Sequence, residues 1–410
     1  MNNFKIHRIT AASAPFLGGG VAILLAIAIV LAPESAFAAS LQGLKLWWTI
    51  VFPALLPFLI LSEMLTASGL VHGIGVLLEP LMKRLFRLPG AGGWTLALGM
   101  AAGFPAGAVG VMQLHKQGSI TDKEAGRMAA LVHFASPVTL LIVVGAALLH
   151  NSSAGYSLLA IHWLAGLAAG CTAALLGGQS KKQAASAKAR TSHKQASLLK
   201  RVHLAALTAR SQDGRSFGRL LGESVGSAVQ SLMVVGGYMI IFAVVIKIAS
   251  TAFPQLPAAL PANLLEIHLG ANILTSGGTT PAPLDSLGIL GAAMLSAALG
   301  WSGICGQLQA LTVLKQAGVR FLPFAAVRLL HGTFAFLFTI LLWKPLLNLH
   351  PAVLPAAAAP EAALHSGTLN PLTVWSTLPQ LFGLQSLLLL LLIALSGAVY
   401  VITWLRRPSG

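Results

Sequence analysis

The stretch Trp94 to Gly118, WTLALGMAAGFPAGAVGVMQLHKQG, decides how the chain folds. It is apolar and long enough to enter a bilayer, yet Gly99, Gly103 and Gly107 recur every four residues and Pro105 falls in its middle. Proline removes a backbone donor and clashes with the preceding turn, so an unbroken helix is not expected through it. In hydrocarbon, a broken backbone survives only where protein or a water-filled cavity receives the freed polar groups. A second stretch of this kind is Leu299 to Gly318, LGWSGICGQLQALTVLKQAG, with Gly300, Gly303 and Gly306 every three residues. Paired interrupted apolar segments in two halves of a chain point to a transport site. The plainer reading is close helix packing through small residues.

Outward from these stretches, the whole composition is that of a membrane protein. The 410 residues are 56% hydrophobic and 9% charged, against about 25% charged in soluble domains. Long apolar runs without strand alternation exclude a barrel, leaving an all-α polytopic transmembrane bundle. The net charge of +16 would suit a nucleic-acid binder. No aromatic–basic platform accompanies it, and the excess lies in loops, as membrane orientation requires. Cys171 and Cys305 sit in apolar runs and read as small packing residues.

Five regions follow. Residues 1–40 look like a secretory signal, with Lys5 and Arg8 before an apolar run and Ala36-Phe37-Ala38 as a cleavage site. An uncleaved helix over Phe16 to Ala32 competes with that reading. Residues 41–178 hold a helix over 44–68, in which Trp47 and Trp48 suit a headgroup belt. Pro53 and Pro57 predict a kink there, and Glu63 is its only acid. A segment over 71–90 too short to span and the first glycine-rich stretch come next. Residues 179–220 form a polar loop with ten Lys or Arg against Asp213, expected in the cytoplasm. Residues 221–345 hold a helix over 224–249, the short segment LLEIHLGANIL over 264–274, the second glycine-rich stretch and a helix over 322–343. Residues 346–410 are a Pro/Ala-rich connection and a last helix ending at Arg406-Arg407.

Three anchors recur in order. Leu77-Leu78-Glu79 matches Leu264-Leu265-Glu266, Gly103–Gly118 matches Gly303–Gly318, and Leu131-Val132-His133 matches Leu329-Leu330-His331. The second half carries an insertion around Pro281 to Ser286. A pseudo-twofold bundle follows, with two discontinuous or re-entrant segments meeting near the midplane. Candidate binding groups for a small solute or ion are then the breaks at Gly103, Pro105, Gly107, Gly300, Ser302 and Gly303, the acids Glu63, Glu79 and Glu266, and the imidazoles of His133, His268 and His331. Lys315, Arg320 and Arg328 leave the sidedness of the second stretch open: charge favours a crossing, inverted symmetry a loop.

PALLPFLILSEML, LLEPLMKRLFRLPG, GMAAGFPAGAVG, LLEIHLGANILTS and ALGWSGICGQLQ with LPFAAVRLLHG resemble the family of the sporulation integral membrane protein YlbJ. That family carries nucleoside-recognition Gate domains, shared with the gating parts of nucleoside transporters and ferrous-iron uptake proteins. The resemblance spans about Pro33 to Trp343. It implies two Gate-like repeats (41–178 and 221–345), retention of the first helix, and a membrane protein needed for the spore cortex. It implies no demonstrated substrate. A transporter-like protein in the cell membrane is the first reading, with the lipid bilayer, a small solute or ion, a second copy of the chain or sporulation membrane proteins as its contacts. A scaffold recruiting partners through loop 179–220 is the alternative. A remote third is an intramembrane serine hydrolase, with Ser302 in Gly300-Trp301-Ser302-Gly303 as nucleophile and His331 as base. No zinc-protease, P-loop or dinucleotide motif supports other catalysis, and no cofactor is expected. Transport without an ATP site would be passive or driven by an ion gradient.

Overall fold

The computed structural model describes residues 19–176, 197–275, 284–353, 390–398 and 401, and all regular structure among them is helical. Among the described residues, five helices are long and apolar enough to cross a membrane: Pro33–Ala67, Ser153–Leu176, Phe217–Ala252, Gly288–Val313 and Phe321–Leu347. Lys5 and Arg8 of the N-terminal region, the first part of the basic loop (179–196), the Pro281 side of the insertion, the Pro/Ala connection and Arg406-Arg407 lie outside the described residues.

Helix α1 (Gly19–Leu31) leads into α2 (Pro33–Leu46). A π-helical turn, Trp47–Val51, joins α2 to α3 (Phe52–Ala67), so the pass begins earlier than residue 44. Pro53 cannot donate to the ladder, and the turn before it widens, with Phe52 N–H reaching back to Trp47 O. Trp47 is not in a headgroup belt. It is 4% exposed, and its indole N–H donates to Leu232 O at 3.0 Å. Gly236 leaves room for that ring, since a Cβ there would lie 2.6 Å from it.

After α4 (Leu70–Arg84) the first glycine-rich stretch forms a hairpin of α5 (Gly93–Ala102) and α6 (Ala106–Lys116). Its arms run antiparallel: a Cβ on Gly107 would lie 3.1 Å from Gly99 Cα, and one on Gly110 3.2 Å from Thr95 Cγ2. Each arm is about 15 Å long, half the hydrocarbon thickness, so the Gly103-Phe104-Pro105 tip sits near mid-bilayer. Helix α7 (Asp122–Val132) starts at a Thr121/Glu124 capping box and stops at His133. A π-helical segment, Thr139–Leu148, completes this broken pass, and α8 (Ser152–Leu176) returns.

The basic region is more than a polar loop. Helix α9 (Leu198–Asp213) lies within it and packs on α4, where a Cβ at Gly69 would meet Ala206 O at 2.1 Å. Helix α10 (Phe217–Ala252) crosses next. Helices α11 (Ala259–Leu265) and α12 (Ile267–Thr275) then form a second, shorter hairpin whose tip is Glu266. A Cβ on Gly270 would lie 2.7 Å from Asn263 Cα, which closes this hairpin. The second glycine-rich stretch is a pass, α13 (Leu284–Trp301) and α14 (Gly303–Val313), broken at Ser302. Helix α15 (Phe321–Val353) packs on α13 through Gly300 and Gly332, and the C-terminal helix 390–398 touches α4 through Ser396 Oγ to Leu77 O.

The two halves therefore correspond as hairpin, broken pass, straight pass, and the anchors read from sequence pair differently. The tip at Gly103–Pro105 corresponds to Glu266, and the break after Val132 to that at Ser302. Glycine spacing misleads here because the second tip needs no glycine: Glu266 is extended (φ −143°, ψ 124°), whereas Gly103 has φ +75°. Arg127 bonds Phe86 O, His115 meets Asp122 at 2.8 Å, and a Cβ on Gly318 would lie 4.0 Å from Asp122 Oδ2, so the ends that carry Lys83, Arg84, Lys116, Lys123, Lys315 and Arg320 lie together, on the face the positive-inside rule makes cytoplasmic. The first hairpin enters from that face and the second from the other. Charge and inverted symmetry thus agree, because the re-entrant element of the second half is 259–275 and not 299–318.

Candidate functional site: a polar cavity at two hairpin tips

Each hairpin tip rests on the break of its own half. Phe104 N–H donates to Phe134 O at 2.9 Å, and a Cβ on Gly103 would lie 2.7 Å from Ser136 N. In the second half, the Trp301 indole donates to Leu264 O at 2.9 Å, and a Cβ on Gly303 would lie 2.8 Å from Leu265 O. The halves meet where His133 Nε2 contacts Ser302 Oγ at 3.0 Å. Phe104 stacks on His133, its ring filling the space that Gly306 leaves open.

Behind this crossing sits Arg328, 1% exposed. Its guanidinium donates to Ala130 O and Gly300 O, near the C-terminal ends of α7 and α13, and to His331 Nδ1 at 2.8 Å. The broken passes leave orphan carbonyls at those ends, where the helix dipole is negative, and one buried cation answers both. His331 Nε2 donates to His162 O, and Ala135 N–H donates to His162 Nε2. Arg328 and His162 were absent from the sequence-level candidates for binding. An arginine within an apolar span was the available signal.

In front of the crossing is a cavity of about 720 Å³. Its floor is built from the tips and breaks: Phe104, Pro105, Ser136, Thr139, Glu266, His268, Cys305 and Gln309. Glu266 caps α12, accepting Leu269 N–H at 2.7 Å, and binds His268 Nδ1 at 2.8 Å. Toward the basic face the walls carry Gln113, Gln117, Ser231, Glu63, Asp213 and Arg215. There Arg215 joins Asp213, Glu63 and Glu223 within 2.7–3.2 Å. Hydrogen bonds from Arg215 hold the Asp213 carboxyl below the usual range.

Residues 48–152 match the Gate family, described as nucleoside recognition. Over 362 residues the chain is 36% identical to the sporulation integral membrane protein YlbJ of Bacillus subtilis (strain 168), covering 84% of this chain and 85% of that protein. The chain belongs to the YlbJ family. No solved structure matches it. The Gate match takes in α3, the first hairpin and the first broken pass, the elements that form one side of the cavity.

In this YlbJ-family chain the sequence candidates divide into three groups. Glu63, Pro105, Glu266 and His268 line the cavity. Gly103, Gly107, Gly300, Ser302, Gly303, His133 and His331 build the tips and the crossing behind it. Glu79 is not brought to Glu266: it lies on α4, bonded to Lys83 at 2.9 Å and to Arg201 of α9 at 2.8 Å. Burial alone would raise its carboxyl, but Lys83 and then Arg201 outweigh that and hold it low. Its contribution is complete above the ordinary carboxylate range and is lost as pH falls through its depressed value. We expect Glu79→Gln to cost at most about 1 kcal/mol in thermal unfolding and to leave the cavity intact.

The hydrolase reading names His331 as the base, and the structure does not bring it to Ser302. His331 has both ring nitrogens engaged elsewhere. Ser302 Oγ lies instead within hydrogen-bond distance of Trp301 O at 2.5 Å and of His133 Nε2 at 3.0 Å.

Proposed function

We propose that the chain forms a gated passage for a small polar solute in the membrane of a sporulating cell, and that spore cortex formation depends on it. The observation carrying this reading is the convergence of both hairpin tips and both helix breaks on one polar-floored cavity at bilayer depth. Backbone broken in the membrane is costly, and a channel-facing role is its usual justification. The inverted arrangement supplies two half-depth barriers, one entered from each face, as alternating access requires. The sporulation role is supported by the name of the 36%-identical relative.

A plug tests it. Val109 lines the cavity and is 42% exposed, so a larger side chain there fills space without disturbing the packed core. Val109→Trp should leave the protein folded and in the membrane while abolishing heat-resistant spores. Normal spores from that variant, together with loss of function on deleting 179–196 alone, would replace the passage by a scaffold.

A further inference from the structure

We infer that Glu266 and His268 form a proton-binding pair at the tip of the second hairpin, through which the passage is coupled to proton uptake and release. The inference deepens the passage reading and rests on it for its purpose, though not for its first test.

Glu266 is 2% exposed and His268 6%. The carboxylate accepts Leu269 N–H at the start of α12 and meets the His268 ring at Nδ1, and no lysine or arginine is bonded to it among the described residues. Neither arginine near the site is spent on it, since Arg328 is held by carbonyls behind the crossing and Arg215 by the carboxylates at the mouth. With Nδ1–H given to Glu266, a neutral His268 presents a bare lone pair at Nε2. That atom is buried without a hydrogen-bond partner among the described residues. The pair then carries one negative charge. A proton arriving at Nε2 makes the pair neutral and turns the acceptor into a donor.

The cost of holding net charge in a low-dielectric site makes this step consequential. It is also placed to move the backbone. Leu264 and Leu265, just before the acid, carry the contacts to Trp301 and Gly303, and Ser302 between these two touches His133 of the other half. A change of charge at Glu266 therefore acts at the one place where tip, break and opposite half are joined. The titratable or charged groups facing the pair are Cys305 on α14 and, across the cavity, His72 on α4, Glu63 on α3, and Asp213 and Arg215 at the mouth. None is within the pair's hydrogen bonds.

The test uses the full-length protein in phospholipid vesicles with ¹⁵N-labelled histidine. Spectra taken between about pH 5 and 8 follow the protonation of one imidazole, assigned by its loss in His268→Gln. In Glu266→Gln, which keeps the shape and removes the charge, the doubly protonated ring should be less populated across that range. The rate of a maleimide reagent on Gln113→Cys, in the cavity wall, divided at each pH by its rate on free cysteine, should keep a pH dependence that is absent in Glu266→Gln. A His268 ring that holds one protonation state across that range in the otherwise native protein would overturn the inference, as would a protonation indifferent to Glu266. Either result leaves the passage reading standing. Normal spores from the plugged variant would remove the passage while leaving the ring titration intact.

Discussion

Arg328→Leu should leave little folded protein in the membrane. The side chain satisfies Ala130 O, Gly300 O and His331 Nδ1 at a site with 1% exposure. Leucine fills similar space but donates nothing, so two carbonyls and an imidazole acceptor stay buried unpaired. Each such group costs about 1–3 kcal/mol. The loss also removes the one cation at these two negative helix ends among the described residues, so about 3–5 kcal/mol in all is expected, comparable to breaking a buried ion pair. Arg328→Lys keeps the charge but not the planar fork that reaches two helices at once, and should recover only part of the loss. Membrane yield and the midpoint of thermal unfolding in detergent measure both variants. Wild-type stability in Arg328→Leu would mean that the carbonyls find other donors.

The second large effect is expected at Gly103. Its φ of +75° with ψ of −165° lies in a region that side chains essentially never occupy. A Cβ would also stand 2.7 Å from Ser136 N and 2.9 Å from Ser136 Cβ. Strain and overpacking together give about 2–5 kcal/mol for Gly103→Leu. Because the hairpin arms are held separately by Gly99 and Gly107, the tip should lift from the Phe134–Ser136 break before the arms separate. The expected outcome is a protein that inserts but fails in sporulation, with the Phe104–His133 stack lost. Full spore resistance in this variant would show that the seated tip is dispensable.

Much of the architecture was legible because membranes impose simple rules. Basic residues marked one face, apolar runs marked the passes, and Pro105 among glycines marked a tip. Glu266 and His268 were legible as polar groups in an otherwise apolar stretch. Trp47 was misread because an aromatic residue near a helix end looks the same whether it meets headgroups or a glycine on α10. Glu79 was misread because Leu-Leu-Glu says nothing of Arg201, which approaches from a helix more than a hundred residues later.

By itself the sequence determined the class of molecule, the long apolar passes and the interruption at Pro105, since these follow from transfer free energy and backbone chemistry local to each segment. Which break meets which tip was decided only in three dimensions. A glycine at a turn and a glycine at a helix contact are the same letter, and the difference between them is the neighbour, supplied by distant chain: Ser136 for Gly103, Gly332 for Gly300, Phe104 for Gly306.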